Sequence, residues 1–235
     1  DVGPVVTRSA GMSVTGPYKI PHVWGDAYCV YTNKPIAGAF RGFGVPQLLW
    51  AMDSMMDILA EGIGMDPVEF RLKNALEAGD ISATGQILHS VGIKECIRKA
   101  AEGIEWGKKT GKYRGKGMGT LYKMTQTPSS SAAFVKLSED GSVEVLSSTV
   151  DMGQGSNTIL AQIAAEELGV DVRNVKVVSP DTNATPFDHG TASSRSTFHM
   201  GNAVKEAAAD ARRQLFEVAA EQLEVHPDDL EAKGG

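Results

Sequence analysis

Cysteine is scarce. Cys29 and Cys96 are the only two in 235 residues, and neither stands in a C-x-x-C pair or a Cys/His cluster. That pattern excludes a zinc site or an iron–sulfur cluster built from this chain, and both thiols are expected as small buried hydrophobes. Positive charge is short as well. Lys and Arg number 23 against 29 Asp and Glu, a formal net charge of -6, so the counterion-releasing surface that nucleic acid requires is missing. The one basic stretch, Lys108 to Lys116, is broken by glycines and reads as a solvated linker. No apolar run reaches the roughly 18 residues of a membrane-spanning helix. A leading methionine is absent, and the closing "EAKGG" follows a helix-start signal. The chain is therefore expected to be a piece of something longer, and the lack of a targeting signal says nothing about compartment.

What is present is a 42% hydrophobic composition, enough to bury a sizeable core in one large domain or two small ones. Residues 23–32, "VWGDAYCVYT", are β-branched and aromatic and predict a strand. After the loop "AFRGFGVPQ", Pro46 fits the first position of a helix running to about Glu61. Leu48, Leu49, Met52, Met55, Met56 and Leu59 recur there at the spacing of a packed face. "DPVEFRLKNAL" predicts a second helix with Asp66 as N-cap and Pro67 next to it. A third is expected from about Ser90. A run of glycines between Gly103 and Gly119 marks a boundary, giving regions 1–114 and 115–235.

Beyond the boundary, "GMGTLYKM" reads as a strand, and Asp140-Gly141 joins two β-rich runs as a hairpin. A glycine loop, a helix from about Asn157 to Leu168, the strand "VKVVSP" and a long polar loop follow. The last long helix is expected from Ser196 to Leu223, and "HPDDLE" starts another. Strands and helices mixed in this way, with an antiparallel hairpin, indicate an α+β fold of mixed sheets and packed helices.

Three loops carry the chemistry. "AFRGFGVPQ" offers G-x-G, but Gln47 stands where a dinucleotide fingerprint needs its third glycine. "DMGQGSN", residues 151–157, leads into a helix, so its amides are expected to be free for an anion, with Gly153 and Gly155 permitting close approach. It lacks the Gly-Lys-Ser/Thr of a Walker loop, and a plain glycine turn at a helix start would explain it equally. "DHGTASSRST", residues 188–197, supplies hydroxyls and Arg195 before the long helix. A positive, hydroxyl-lined terminus of this kind suits phosphate or a polar ring edge, and ordinary capping is the alternative. No Ser-His-Asp arrangement is present. His189 and His199 lack a carboxylate or cysteine at metal-ligand spacing, Asp181 reads as a turn former, and Glu166 and Glu167 as a solvated helix face. The chemistry common to the three loops is the cradling of a large anionic ligand. A non-catalytic module for a nucleotide or anionic metabolite would use the same parts.

"AFRGFGVPQ" and "MGQG", with "YKIPHVWGDAYCVYTNKP", "GMDPVEFRLKNAL" and the DGSV hairpin in the same order, resemble the molybdenum-binding large subunit of the xanthine dehydrogenase/aldehyde oxidase/carbon monoxide dehydrogenase family. The likeness covers nearly the whole chain. "MGQGSNTILAQIAAEELGV" and "GTASSRST" look most like the 4-hydroxybenzoyl-CoA reductase and related hydroxylase branch. The resemblance implies a molybdopterin-binding domain holding molybdenum through the pterin dithiolene, with no protein ligand to the metal, and with either plain molybdopterin or its cytosine dinucleotide. It implies cofactor-binding residues at Phe40, Arg41, Gly42 and Phe43, at Gly153, Gln154 and Gly155, and at Thr191, Ala192, Ser193, Ser194 and Ser196. Phe43 and Tyr122 would face an aromatic, heterocyclic or aldehyde-type substrate, with xanthine disfavoured by the segment around Tyr122. The family's Q-x-F-G-G loop and its glutamate base have no counterpart here, so no catalytic residue is assigned and the chain alone is expected to be inactive. Partners implied are iron–sulfur [2Fe-2S] and FAD subunits or domains in a cytoplasmic oligomer, with no membrane contact.

Overall fold

The computed structural model describes residues 3–35, 38–123, 129–178 and 180–234. They fall into two compact units, Asp1–Lys123 and Met124–Gly235.

The first unit is helical. It opens with α1 (Gly3–Met12), which the sequence reading did not foresee, followed by α2 (Val45–Gly62), α3 (Pro67–Asn74) and α4 (Ile93–Gly103). Helix α2 begins as its sequence dictates, one position earlier than expected. Gly44 is the N-cap, Pro46 lies within the first turn, and the Gln47 side chain reaches back so that Oε1 accepts the Gly44 N–H at 2.9 Å. Leu49, Met56 and Ala60 are buried, whereas Met55 and Leu59 face outward. Asp66 caps α3 as expected, accepting the amides of Val68 and Glu69 at 2.8 and 3.2 Å, and its other oxygen accepts the Trp106 indole N–H at 2.8 Å. Burial pushes the Asp66 carboxyl up, but the indole and amide donors outweigh it and hold it below the usual carboxylate range.

A buried polar network ties these elements together. Asp53 of α2 accepts hydrogen bonds from the Tyr18 hydroxyl, from the amide and hydroxyl of Thr120, and from Arg71 Nε at 3.3 Å. Arg71, with no exposed surface, also donates to Asp57 at 2.6 Å. Burial, reinforced by Asp53, raises the Tyr18 hydroxyl far above the usual phenol value.

Two strand expectations fail here. Residues 23–32 form no strand, and the described part of "GMGTLYKM" forms none either, its Met124 lying outside the described residues. A strand needs a neighbour as well as a β-rich sequence. Both cysteines are exposed, against expectation: Cys29 lies on the unpaired segment, and Cys96 on α4 beside the buried Ile97.

The second unit holds the sheet. Strands β1 (Phe134–Leu137) and β2 (Val143–Leu146) pair antiparallel about Asp140-Gly141, with Val135 opposite Val145. β3 (Val175–Val178) pairs parallel to β2, so β2, α5 (Ser156–Leu168) and β3 form a crossover unit within a mixed sheet. Helix α6 (Gly201–Leu223) follows a π-helical turn, Ser196–Met200, where one continuous α-helix was expected. "HPDDLE" contributes only a 3-10 turn, Pro227–Asp229. The core is Val143, Val145, Leu160, Ala164, Leu168, Met200, Val204 and Ala208, closed by the facing sides of α5, α6 and the sheet. The α+β class stands.

Candidate functional site

In the first unit, residues 41–44 form a turn, with the Phe43 amide bonded to the Phe40 carbonyl at 2.7 Å. Gly42 and Gly44 have φ of 83° and 88°, the left-handed region. A Cβ on Gly44 would lie 2.1 Å from the Val6 carbonyl oxygen, so this glycine lets the loop press onto α1. Phe40 and Arg41 are exposed. Among the described residues Arg41 has no ion-pair partner, in contrast to Arg71. The Lys123 ammonium sits 5.6 Å from the centroid of the Phe43 ring, a cation–π contact that brings the segment carrying Tyr122 to the opening loop. Tyr122 itself is half-buried, and burial raises its hydroxyl above the usual phenol value.

In the second unit the other two loops are joined. Thr191 Oγ1 accepts the Val150 amide at 3.0 Å and donates to the Val150 carbonyl at 2.9 Å. The MGQG loop is organised from within. Asp151 accepts the amides of Gly153 at 2.8 Å, Gly155 at 3.3 Å and Asn157 at 3.3 Å. These donors, Gly153 first, hold its carboxyl below the usual range. The amides expected to await an anion are therefore occupied by a residue whose place two before a glycine already marks an Asx turn. Gln154 folds back too, its Nε2 donating to the Val150 carbonyl at 2.9 Å and to the Ser156 hydroxyl at 3.1 Å, and its Oε1 accepting the Met152 amide at 2.6 Å.

Arg195 likewise differs from the expected free cation. It is 4% exposed, donates to both oxygens of Asp188 at 2.7 Å, and reaches the Gly190 and Ser130 carbonyls and the Ser131 hydroxyl. Its charge is spent on shaping the loop. Desolvation pushes the Asp188 carboxyl up, but Arg195 and Ser131 outweigh it and hold it low. Within this clasp Ser193 and Ser194 have φ of 51° and 62°. Two successive non-glycine residues in the left-handed region cost about 1 kcal/mol or more each and persist only where surroundings enforce them. His189 packs edge-on to Phe187, and His199 to Phe198. Ala192 is exposed, and Ser196 is partly buried at the start of the π-helical turn.

Two atoms are left over. The Thr149 hydroxyl and Asn157 Oδ1 are buried without a hydrogen-bond partner among the described residues. They flank the MGQG loop, one residue on the strand side and one on the helix side. Between them Gly153 and Gly155 take positive φ, and a Cβ on either would meet nothing within 4 Å.

Family descriptions reading "Molybdopterin cofactor-binding domain" match residues 1–75 and 87–235. The chain belongs to this family, that of xanthine dehydrogenase, aldehyde oxidoreductase and CO dehydrogenase. This molybdopterin-binding chain is 36% identical, over 94% of its length, to the putative xanthine dehydrogenase molybdenum-binding subunit of Escherichia coli (strain K12). It is 32% identical, over 99%, to the 6-hydroxypseudooxynicotine dehydrogenase complex subunit gamma of Paenarthrobacter nicotinovorans. It spans 31% of the length of each. The quinoline 2-oxidoreductase structure from Pseudomonas putida 86 superposes with a TM-score of 0.81 at 26% identity, over 98% of this chain and 32% of that one.

The donor set of the second unit fits a molybdopterin. Burying a polar atom without a partner costs about 1–3 kcal/mol, so the Thr149 and Asn157 atoms call for a polar group. Asn157 Oδ1 is an acceptor and needs an N–H or O–H, which a pterin ring edge carries and an ionised phosphate lacks.

Proposed function

We propose that this chain works as cofactor-binding polypeptide in a molybdenum hydroxylase or reductase large subunit, in two-electron oxidation or reduction of an aromatic, N-heterocyclic or aldehyde-type substrate. The observation that carries this reading is the pair of buried, unpartnered polar atoms beside the open glycines of the MGQG loop. The named substrates of the similar proteins, xanthine, 6-hydroxypseudooxynicotine and quinoline, support the substrate class. When bound, the molybdenum cofactor supplies the redox chemistry, and the protein orients and tunes it.

In the second unit, Gly153 and Gly155 leave room for a ring edge, and Thr149 and Asn157 await its polar atoms. Gln154 and Asp151 hold the loop in that shape. Thr191 fixes the neighbouring peptide, and Ser193 and Ser194 present their hydroxyls from a backbone that Arg195 clamps. In the first unit, Phe40, Arg41 and Phe43 offer a cation and aromatic faces. Phe43 and Tyr122 are the surfaces on which an aromatic substrate stacks. Electrons are exchanged with partner iron–sulfur and FAD components in the same complex, leaving to them on substrate oxidation and arriving from them on reduction.

The test is metal and pterin analysis of the full-length large subunit that carries this sequence, grown with molybdate. Molybdenum and an oxidised-pterin fluorophore are expected together. A subunit with neither would leave a non-catalytic binding module. Gln154→Ala removes three hydrogen bonds from the loop and is expected to lower both contents about tenfold. Unchanged contents would remove the MGQG loop from the site.

A further inference from the structure

Residues 23–32 of the first unit form no helix, strand, turn or bend, and among the described residues none of their backbone amides or carbonyls takes part in a backbone–backbone hydrogen bond. Their side chains are equally bare. Trp24 is 90% and Tyr31 102% exposed, and Tyr28 and Val30 are little different. An apolar β-rich run whose main chain is left open is a template for another strand. The composition of "AYCVYT" favours a pleated, half-buried surface, which single exposed extended chain does not provide.

The surroundings are shaped to match. Residues 28–32 form one wall of a cleft of about 490 Å³, and Gly3, Pro4, Val6 and Thr7 of α1 form the other. Every residue of the run lines the cleft, whichever way its side chain points. That is the geometry of a vacant strand position, where main-chain groups give affinity and side chains on alternate faces give selectivity.

We propose that residues 28–32 receive an extended polypeptide strand, and that the strand comes from the part of the large subunit outside this chain. The similar proteins are about three times as long, this chain spanning 31% of each, so polypeptide to fill the position exists in that architecture. The occupant is a strand with alternating apolar residues, since one of its faces would meet α1 and the other the Tyr28 and Val30 side chains.

Residue-resolved amide exchange on the 235-residue chain and on the full-length subunit tests this. In the chain alone, the amides of residues 28–32 exchange near intrinsic rates, independent of protein concentration. In the full-length subunit, alternate amides of the run slow by about a hundredfold or more, because a strand paired on one edge engages every second residue. The Cys29 thiol is read alongside: it labels as fast as in denatured protein in the chain alone, with exposed Cys96 as control, and slows in the full-length subunit. Fast exchange throughout the run in the full-length subunit overturns the proposal. So does uniform slowing without alternation, which is cover without pairing. Slowing in the chain alone that grows with concentration assigns the position to a second copy and overturns it as well.

Discussion

At the scale of residues, the second unit shows how charge is used for shape. Asp188 and Arg195 are 1% and 4% exposed at their side chains and bond through both carboxylate oxygens. Asp188→Asn leaves a buried guanidinium unpaired and is expected to cost about 3 kcal/mol at neutral pH. The sign with pH follows from the depressed Asp188 carboxyl. Its contribution is fully present above the unfolded-state value of about 3.9 and is lost as pH falls through the lower folded-state value. Urea unfolding of both proteins should therefore give a gap at pH 7 that closes below about pH 4. A gap that persists at low pH would mean that the loss does not come from the Asp188 charge. The sequence showed where Gly153, Gln154 and Gly155 lie but not how Asp151 and Gln154 bond within their own loop. It pointed to Arg195 as a cation, yet its partners at 129–131 lie far away in the chain, and such closure has no local signature.

Elements divide by how local their causes are. Helix α3, with Asp66 and Pro67, and the hairpin about Asp140-Gly141 were legible because cap and turn sit beside the residues they organise. Helix α1 was not, since none of its residues is buried and it has neither an acidic first turn nor a basic last turn to mark its ends. Its seat is a glycine far along the chain. Gly44→Ala would put a methyl 2.1 Å from the Val6 carbonyl oxygen at a φ of 88°, so the loop and α1 must separate. A loss of about 3 kcal/mol is expected, with faster amide exchange across residues 3–12. Gly153→Ala, at positive φ but with nothing within 4 Å, should cost only about 1 kcal/mol. Equal losses in thermal denaturation would show that close packing on α1 is not what Gly44 provides.

For the molecule as a whole, much apolar surface lies open in the first unit: Trp24, Tyr28, Tyr31, Phe40, Trp50, Ile58 and Ile63 are all exposed. No described helix is long and apolar enough to cross a membrane. Exposed apolar side chains in this number mark surface that another polypeptide covers. The chain alone is expected to brighten an anilinonaphthalene sulfonate dye severalfold while keeping its helical circular dichroism, and the full-length subunit to do so less per unit mass. A dark dye would contradict the surface described. The single threonine that bonds both polar groups of Val150 bears on protein engineering. Grafting residues 150–157 onto another scaffold would carry over the loop's inner bonds but not its outer anchor, Thr191, which lies 41 residues beyond Val150. A transplant that is to keep the loop's shape must move both segments together.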